Sequence, residues 1–350
     1  MISMKTISTI FALVIFVILG VAFTAKQPSV SGKKEKLSEY GFFTGNLAEL
    51  NPAEDVVPYQ LNSSLFSNYA EKARFIKLPA GLTAQYNRDS VFGMPVGTIL
   101  IKNFYYPADF RNPSKGRKIL ETRLLVHEQD GWNALPYIWN DEQTEAFYDV
   151  AGDVRKISYI DAGGKKVSTS YAIPNKNQCR GCHSNRDQLI PIGIAARHLN
   201  REYTFADGTK NQLEYWQQKG MLTGLPSSGL PANSKWDEAG SGSVESRARA
   251  YLDINCGHCH QPNGAANTSG LMLDMHTSNP TALGIMKTPV AAGRGSGNLD
   301  YDIYPGHPDK SILVFRMNTT DPGIAMPEIG REQIHKEGVE LVRQWIKGMK

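Results

Sequence analysis

The chain has 350 residues, 41% of them apolar and 21% charged, with 38 basic against 34 acidic side chains and a formal charge of +4. The charge is small and the basic residues are dispersed, so there is no nucleic-acid footprint. Beyond residue 26 no apolar run is long enough to span a bilayer, and the chain is soluble in character.

The N-terminus differs from the rest. Lys5 is followed by Ile10–Phe23 without a single charge. A basic residue, a short apolar core and then small residues make a secretory signal, with Gly20-Val21-Ala22 as a small-x-small cleavage site. The alternative is a retained anchor, since Ile7–Ala25 nearly reaches the roughly 20 residues of a spanning helix. The short core favours cleavage, but residues 1–25 serve export either way. The expected location is the periplasm, with a membrane tether if the segment is kept. What remains is too long for one minimal domain, so two domains are expected.

Residues 26–62 read as a polar lead-in: Lys33-Lys34-Glu35-Lys36 is a solvated tether, and Pro52 and Pro58 follow. From Phe75 the texture is β-like. Thr98–Phe104 alternates and is β-branched, and Glu121–His127 runs into Asp130-Gly131, a favoured hairpin pair, before Trp132–Trp139 returns. Lys156–Ile160, Gly163-Gly164 and Lys166–Ala172 give a second hairpin. Residues 63–223 are therefore expected to form an antiparallel sandwich or small barrel.

The four cysteines fall in two copies of one pattern, Cys179-Arg180-Gly181-Cys182-His183 and Cys256-Gly257-His258-Cys259-His260. C-x-x-C-H is the attachment signature of c-type haem. Each thiol pair can form thioethers to the haem vinyl groups, and the following histidine can ligate the iron. The expectation is two covalently bound haem c groups, held by Cys179, Cys182, Cys256 and Cys259, with His183 and His260 as iron ligands. A structural zinc on four thiolates is an alternative, but it does not require the histidines. A thioredoxin-type pair needs a strand leading into Cys179, and Asn175-Lys176-Asn177-Gln178 does not look like one.

Residues 224–242 are rich in Pro, Gly and Ser and read as a linker. Beyond it Val244, Ala248, Tyr251 and Leu252 share one helical face before Cys256. Ile334, Gly338, Leu341, Val342 and Trp345 repeat at helical spacing near the end, where Gly338 lets another helix approach. Residues 243–350 resemble the small class I cytochromes c, in which a helix enters C-x-x-C-H and a terminal helix crosses it. Ile324-Ala325-Met326-Pro327 lies where that family places its methionine ligand, which implies that Met326 ligates the second iron. Met317, Met272 and Met275 are the competitors, and Met317 sits at helical spacing that suits core. The expected fold class is thus α+β: an N-terminal antiparallel β-rich haem domain followed by an all-α class I cytochrome c-like domain.

Taken whole, the chain resembles a family of exported di-haem c-type cytochromes. Ser64–Ala70, Pro95–Thr98, Glu121–Leu125, Trp139–Thr144 and Asn200–Leu225 carry that resemblance with the C-terminal segment. The resemblance implies electron transfer with a redox protein partner. The β-rich part is more weakly similar to the cytochrome c-prime-beta group, which implies an open haem. For the sixth position of the first iron the candidates are His127, His198, Met94, Met221 or no protein ligand. An alternative function is a redox enzyme in which an open first haem acts on peroxide, nitric oxide or hydroxylamine. Glu128, Asp141, Glu142 and Asp187 are near the motif or the turns only in sequence, and read as surface carboxylates.

Overall fold

The computed structural model describes residues 33–350 except 187 and 291, so the expected secretory segment, residues 1–25, lies outside the described residues. Strand-forming runs between Val56 and Tyr148 build one antiparallel meander: β1 (Val56–Tyr59), β2 (Glu71–Lys77), β3 (Ile99–Pro107), β4 (Arg117–Glu128), β5 (Gly131–Trp139) and β6 (Ala146–Tyr148). The six strands are hydrogen-bonded in chain order. β4 and β5 close one residue earlier than the Asp130-Gly131 pair suggests, because the register sets Glu128 against Gly131. Gly131 opens the returning strand at φ 119°, a conformation that disfavours any side chain. A separate hairpin, β7 (Asp153–Ile160) with β8 (Lys166–Ile173), turns through Gly164.

The period-two alternation gives the sheet two faces. On one, Phe75, Ile101, Leu124 and Tyr137 are buried beneath Leu37, Phe42 and Leu50. The stretch expected as a polar lead-in therefore covers half of the sheet. The opposite face is apolar at both ends. Ile76, Leu100 and Leu125 form a cross-strand row at one end, in the cluster that holds Ile194, Leu199 and Trp216. Phe104, Leu120 and Ile138 pack with Ile157, Tyr171 and Ile173 of the second hairpin at the other. Between these ends the face is polar.

Six short helices complete the described residues: α1 (Lys176–His183), α2 (Ala196–Leu199), α3 (Gln212–Gln218), α4 (Val244–Asn255), α5 (Ile312–Met317) and α6 (Lys336–Lys347). Residues 243–350 do not form the expected all-α class I cytochrome c-like domain. From Cys256 to Ser311 the described residues contain turns and 3₁₀ segments but no α-helix. Gly270, Gly284, Gly297 and Gly306 take positive φ in that stretch. Pro262, Pro280, Pro289, Pro305 and Pro308 interrupt it further, since proline cannot donate to a helix ladder. α4 and α6 do pack on one another: a Cβ on Gly338 would overlap the Tyr251 ring. Leu252, Val314, Met317, Val342 and Ile346 fill the cluster around them.

This part is closely tied to the sheet. Asp253 of α4 accepts hydrogen bonds from Arg197 Nε (2.8 Å), Asn233 Nδ2 (2.8 Å) and the Met275 backbone (3.0 Å), with His198 Nε2 at 3.3 Å. Asn68 accepts from the backbone of Glu332 (2.7 Å) and Gln333 (3.1 Å). The Trp236 backbone donates to Ser63 Oγ at 3.0 Å, so the 224–242 segment is itself anchored. Residues 33–350 make one compact unit.

Candidate functional site

The first cysteine motif is presented by α1. Asn175 caps this helix through a reciprocal box: its side chain accepts from Gln178 N (2.9 Å), and Gln178 Oε1 accepts from Asn175 N (2.9 Å). Helical spacing brings Cys179, Cys182 and His183 to one side. His183 Nδ1 lies 2.8 Å from the carbonyl oxygen of Ile190. A carbonyl can only accept, so Nδ1 carries the proton and the Nε2 lone pair is left over. Burial lowers the imidazole pKa to about 3, against the upward pull of that carbonyl, and keeps the ring neutral.

The second motif reaches the same result from a different backbone. α4 is capped by Ser243 and ends at Cys256, after which Cys259 N and His260 N both donate to Cys256 O (3.0 and 2.9 Å). Gly257 is required there, because a Cβ would stand 2.6 Å from Asp253 O. His260 Nδ1 lies 3.0 Å from Leu271 O, again leaving Nε2, and burial lowers its pKa. Among the described residues neither Nε2 has a hydrogen-bond partner.

The four thiols are free, and burial raises every one of their pKa values, Cys256 to about 12 and Cys259 to about 11. They are thiols, not thiolates, at neutral pH, which does not suit a nucleophile or a thiol-exchange pair. Among the described residues no three His, Cys, Asp or Glu side chains converge as a chelating cluster, which counts against one zinc on both pairs. Haem needs only one or two axial ligands besides its thioethers, so the residues present fit it.

The two motifs adjoin. Cys259 Sγ is 3.6 Å from Gly181 O, and Arg186, just past the first motif, bonds Asn263, just past the second, through backbone N–H (2.9 Å) and Nε (3.1 Å). No family model, curated protein or solved structure matches this chain.

The loop carrying Met326 runs beside both motifs. A Cβ on Gly181 would touch Ile329 at 3.3 Å, and the charge of Glu328 contributes to the shifts of Cys259 and His260. Met326 is half-buried, its backbone N–H donating to Arg316 O at 3.0 Å. Met317 is buried in the α4/α6 cluster, and Met272 and Met275 are half-buried in the loop that follows His260. Of the residues considered for the sixth position of the first iron, Met94 and Met221 belong to the cluster with Trp216, His198 is held by Asp253, and His127 stacks on Trp132 at 4.6 Å.

Sequence reasoning passed over several groups here. His258, inside the second motif, is near enough to His183 to disfavour protonation of that ring, and burial, with His260 and Lys102 nearby, lowers its own pKa to about 4. The carboxylate beside the first motif is Glu121, fully buried; Asp141 and Glu142 are exposed, Glu128 is half-buried, and Asp187 lies outside the described residues. Glu121 accepts from Arg123 Nε (2.7 Å) and from Tyr171 Oη (2.6 Å). Arg74 opposes Lys102 across β2 and β3, and Lys102 opposes Arg123 across β3 and β4. The charges of Lys102 and Arg123 act on Cys182 and His183. The signal was available: Lys102 shares the parity of Leu100 and Phe104 in an otherwise apolar alternation.

Proposed function

We propose that the chain is an exported, periplasmic di-haem c-type cytochrome that carries electrons between redox partners. The observation that carries this reading is the pair of matching histidines: each follows a C-x-x-C pair, and each spends Nδ1–H on a backbone carbonyl so that Nε2 is left for a metal. Haem, when bound, supplies a one-electron centre. Cys179 and Cys182, and Cys256 and Cys259, are protonated thiols, the form that adds across a vinyl group. His183 and His260 would each ligate one iron, and Met326 would supply a thioether ligand at the C-terminal motif. The contact between Cys259 and Gly181 favours electron exchange between the two sites.

Intact mass should exceed the apoprotein by two haems, and haem-dependent peroxidase staining should survive denaturation. Replacing Cys256 and Cys259 by alanine should remove one haem. A wild-type chain exported with a cytochrome c maturation system that carries no haem sinks the reading. A second reading, a haem enzyme acting on a small molecule at the first motif, is favoured by the cationic row beside it. Carbon monoxide separates the two: one equivalent bound per ferrous chain supports an open first iron, and none leaves electron transfer.

A further inference from the structure

The polar middle of the sheet's inner face has no structural explanation of its own. Arg74, Lys102 and Arg123 stand directly opposite one another on β2, β3 and β4, with Lys72 two residues along β2 on the same face. Directly opposed side chains in a sheet have Cβ atoms about 5 Å apart, and like charges in that relation are destabilising. The row is enclosed by apolar clusters at both ends, and Arg74 is only 6% exposed. Its neutralisation is incomplete. Glu121 pairs with Arg123 at 2.5 Å. Among the described residues Arg74 reaches only Ser64 Oγ, at 3.5 Å, and the ammonium of Lys102 meets only the Phe104 ring, 4.9 Å from its centroid. Glu71 is exposed and acts on Arg74 and Lys72 by its charge, without an ion pair to either among the described residues. Burial and the neighbouring cations push the Lys102 pKa well down, which is the cost of a row without its counter-charge.

We propose that Arg74, Lys102 and Arg123 form a binding site for a small inorganic oxyanion beside the first cysteine motif. Guanidinium and ammonium donors converging from three strands suit a planar or tetrahedral oxyanion. An anion there would offset the repulsion within the row. The carboxylates of a haem are a less suitable occupant: they lie on the edge opposite the vinyl groups, whereas Arg123 acts on both thiols of the first pair and Lys102 on Cys182. The row rests on the sheet register and stands whether or not the haem reading does. With haem attached, it would select oxyanions as the small molecules that reach the first iron.

Sulfate, which is inert to haem iron, is the probe, titrated calorimetrically into the full exported protein at constant ionic strength with haem content measured alongside. The expected result is saturable binding of one sulfate per chain, weakened about tenfold by Lys102→Gln or Arg74→Gln, the effect of losing one charge-assisted hydrogen bond. Lys118→Gln, on the exposed surface of β4, should leave the affinity unchanged. Either row variant should fold with equal or higher melting temperature, because the removed charge has no carboxylate partner to strand. No saturable sulfate binding, or equal affinity in wild type and both row variants, overturns the site. A chain with two haems and no sulfate binding rejects the row alone, whereas sulfate binding without haem keeps the row and rejects the haem reading.

Discussion

At the residue scale, two methionines of similar chemistry have opposite surroundings. Met317 is 4% exposed among Val314, Val342 and Ile346, whereas Met326 lies half-buried on the loop that passes both motifs. If Met326 ligates the second iron as proposed, Met326→Ala should abolish the weak long-wavelength band of the ferric spectrum and lower one haem's potential, since a thioether favours ferrous iron. Met317→Ala should keep the band but lose about 2–5 kcal/mol of stability, measured by urea denaturation. The reverse pattern would move the ligand. His198 supplies a pH dependence. Burial lowers its pKa to about 4, overcoming the upward pull of Asp253, so at neutral pH the charge of Asp253 is balanced by Arg197. The unfolded imidazole titrates near 6.5, and between these values the unfolded chain binds the extra proton. Its contribution is present in full above pH 6.5 and is lost as the pH falls through about 4, on the order of 3 kcal/mol. His198→Gln should therefore flatten the fall in urea midpoint between pH 7 and pH 4.5. An unchanged slope would refute it.

At the element scale, α1 is eight residues long and carries the whole first motif, so its N-terminal cap matters more than in a longer helix. Asn175→Ala removes the acceptor for Gln178 N and should cost about 1 kcal/mol. Faster amide exchange confined to 176–183 is the expected measurement; exchange at the wild-type rate would show that packing on β5 alone holds the helix. The sheet illustrates the opposite relation between sequence and element. Its strands were legible because β-branched residues alternate over Thr98–Phe104 and Glu121–His127, and the structure extends them only at their ends. α4 and α6 were legible from apolar spacing, and Gly338 from its place on the packed face. The 256–311 stretch was not, because turns and 3₁₀ segments carry no hydrophobic period.

At the scale of the whole molecule, Asp253 is the junction at which the sheet-side residues Arg197 and His198 meet α4, Asn233 and Met275. Removing it would leave Arg197, whose side chain is only 16% exposed, without its carboxylate. Asp253→Ala should cost about 3–5 kcal/mol, the usual penalty for stranding one half of a buried pair. Calorimetry of the wild type should show one cooperative transition for residues 33–350, since hydrogen bonds from Asn68, Ser63 and Asp253 cross between the sheet and the C-terminal helices. Two separated transitions, with the variant lowering only one, would show that the two parts fold independently.

The sequence by itself determined the two C-x-x-C-H runs on which the proposal rests: both are local, and neither needs a fold to be recognised. It also determined the strands and the helices α4 and α6, whose apolar periods are local too. Tertiary structure decided what stands next to what. Residues 26–62 read as a polar lead-in, yet Leu37, Phe42 and Leu50 close one face of the sheet. The motifs lie more than seventy positions apart in the chain but touch at Cys259 and Gly181. Arg74, Lys102 and Arg123 sit on three different strands, and only their register makes them a row. Proximity of this kind depends on pairing between distant segments, and no window along the chain contains it.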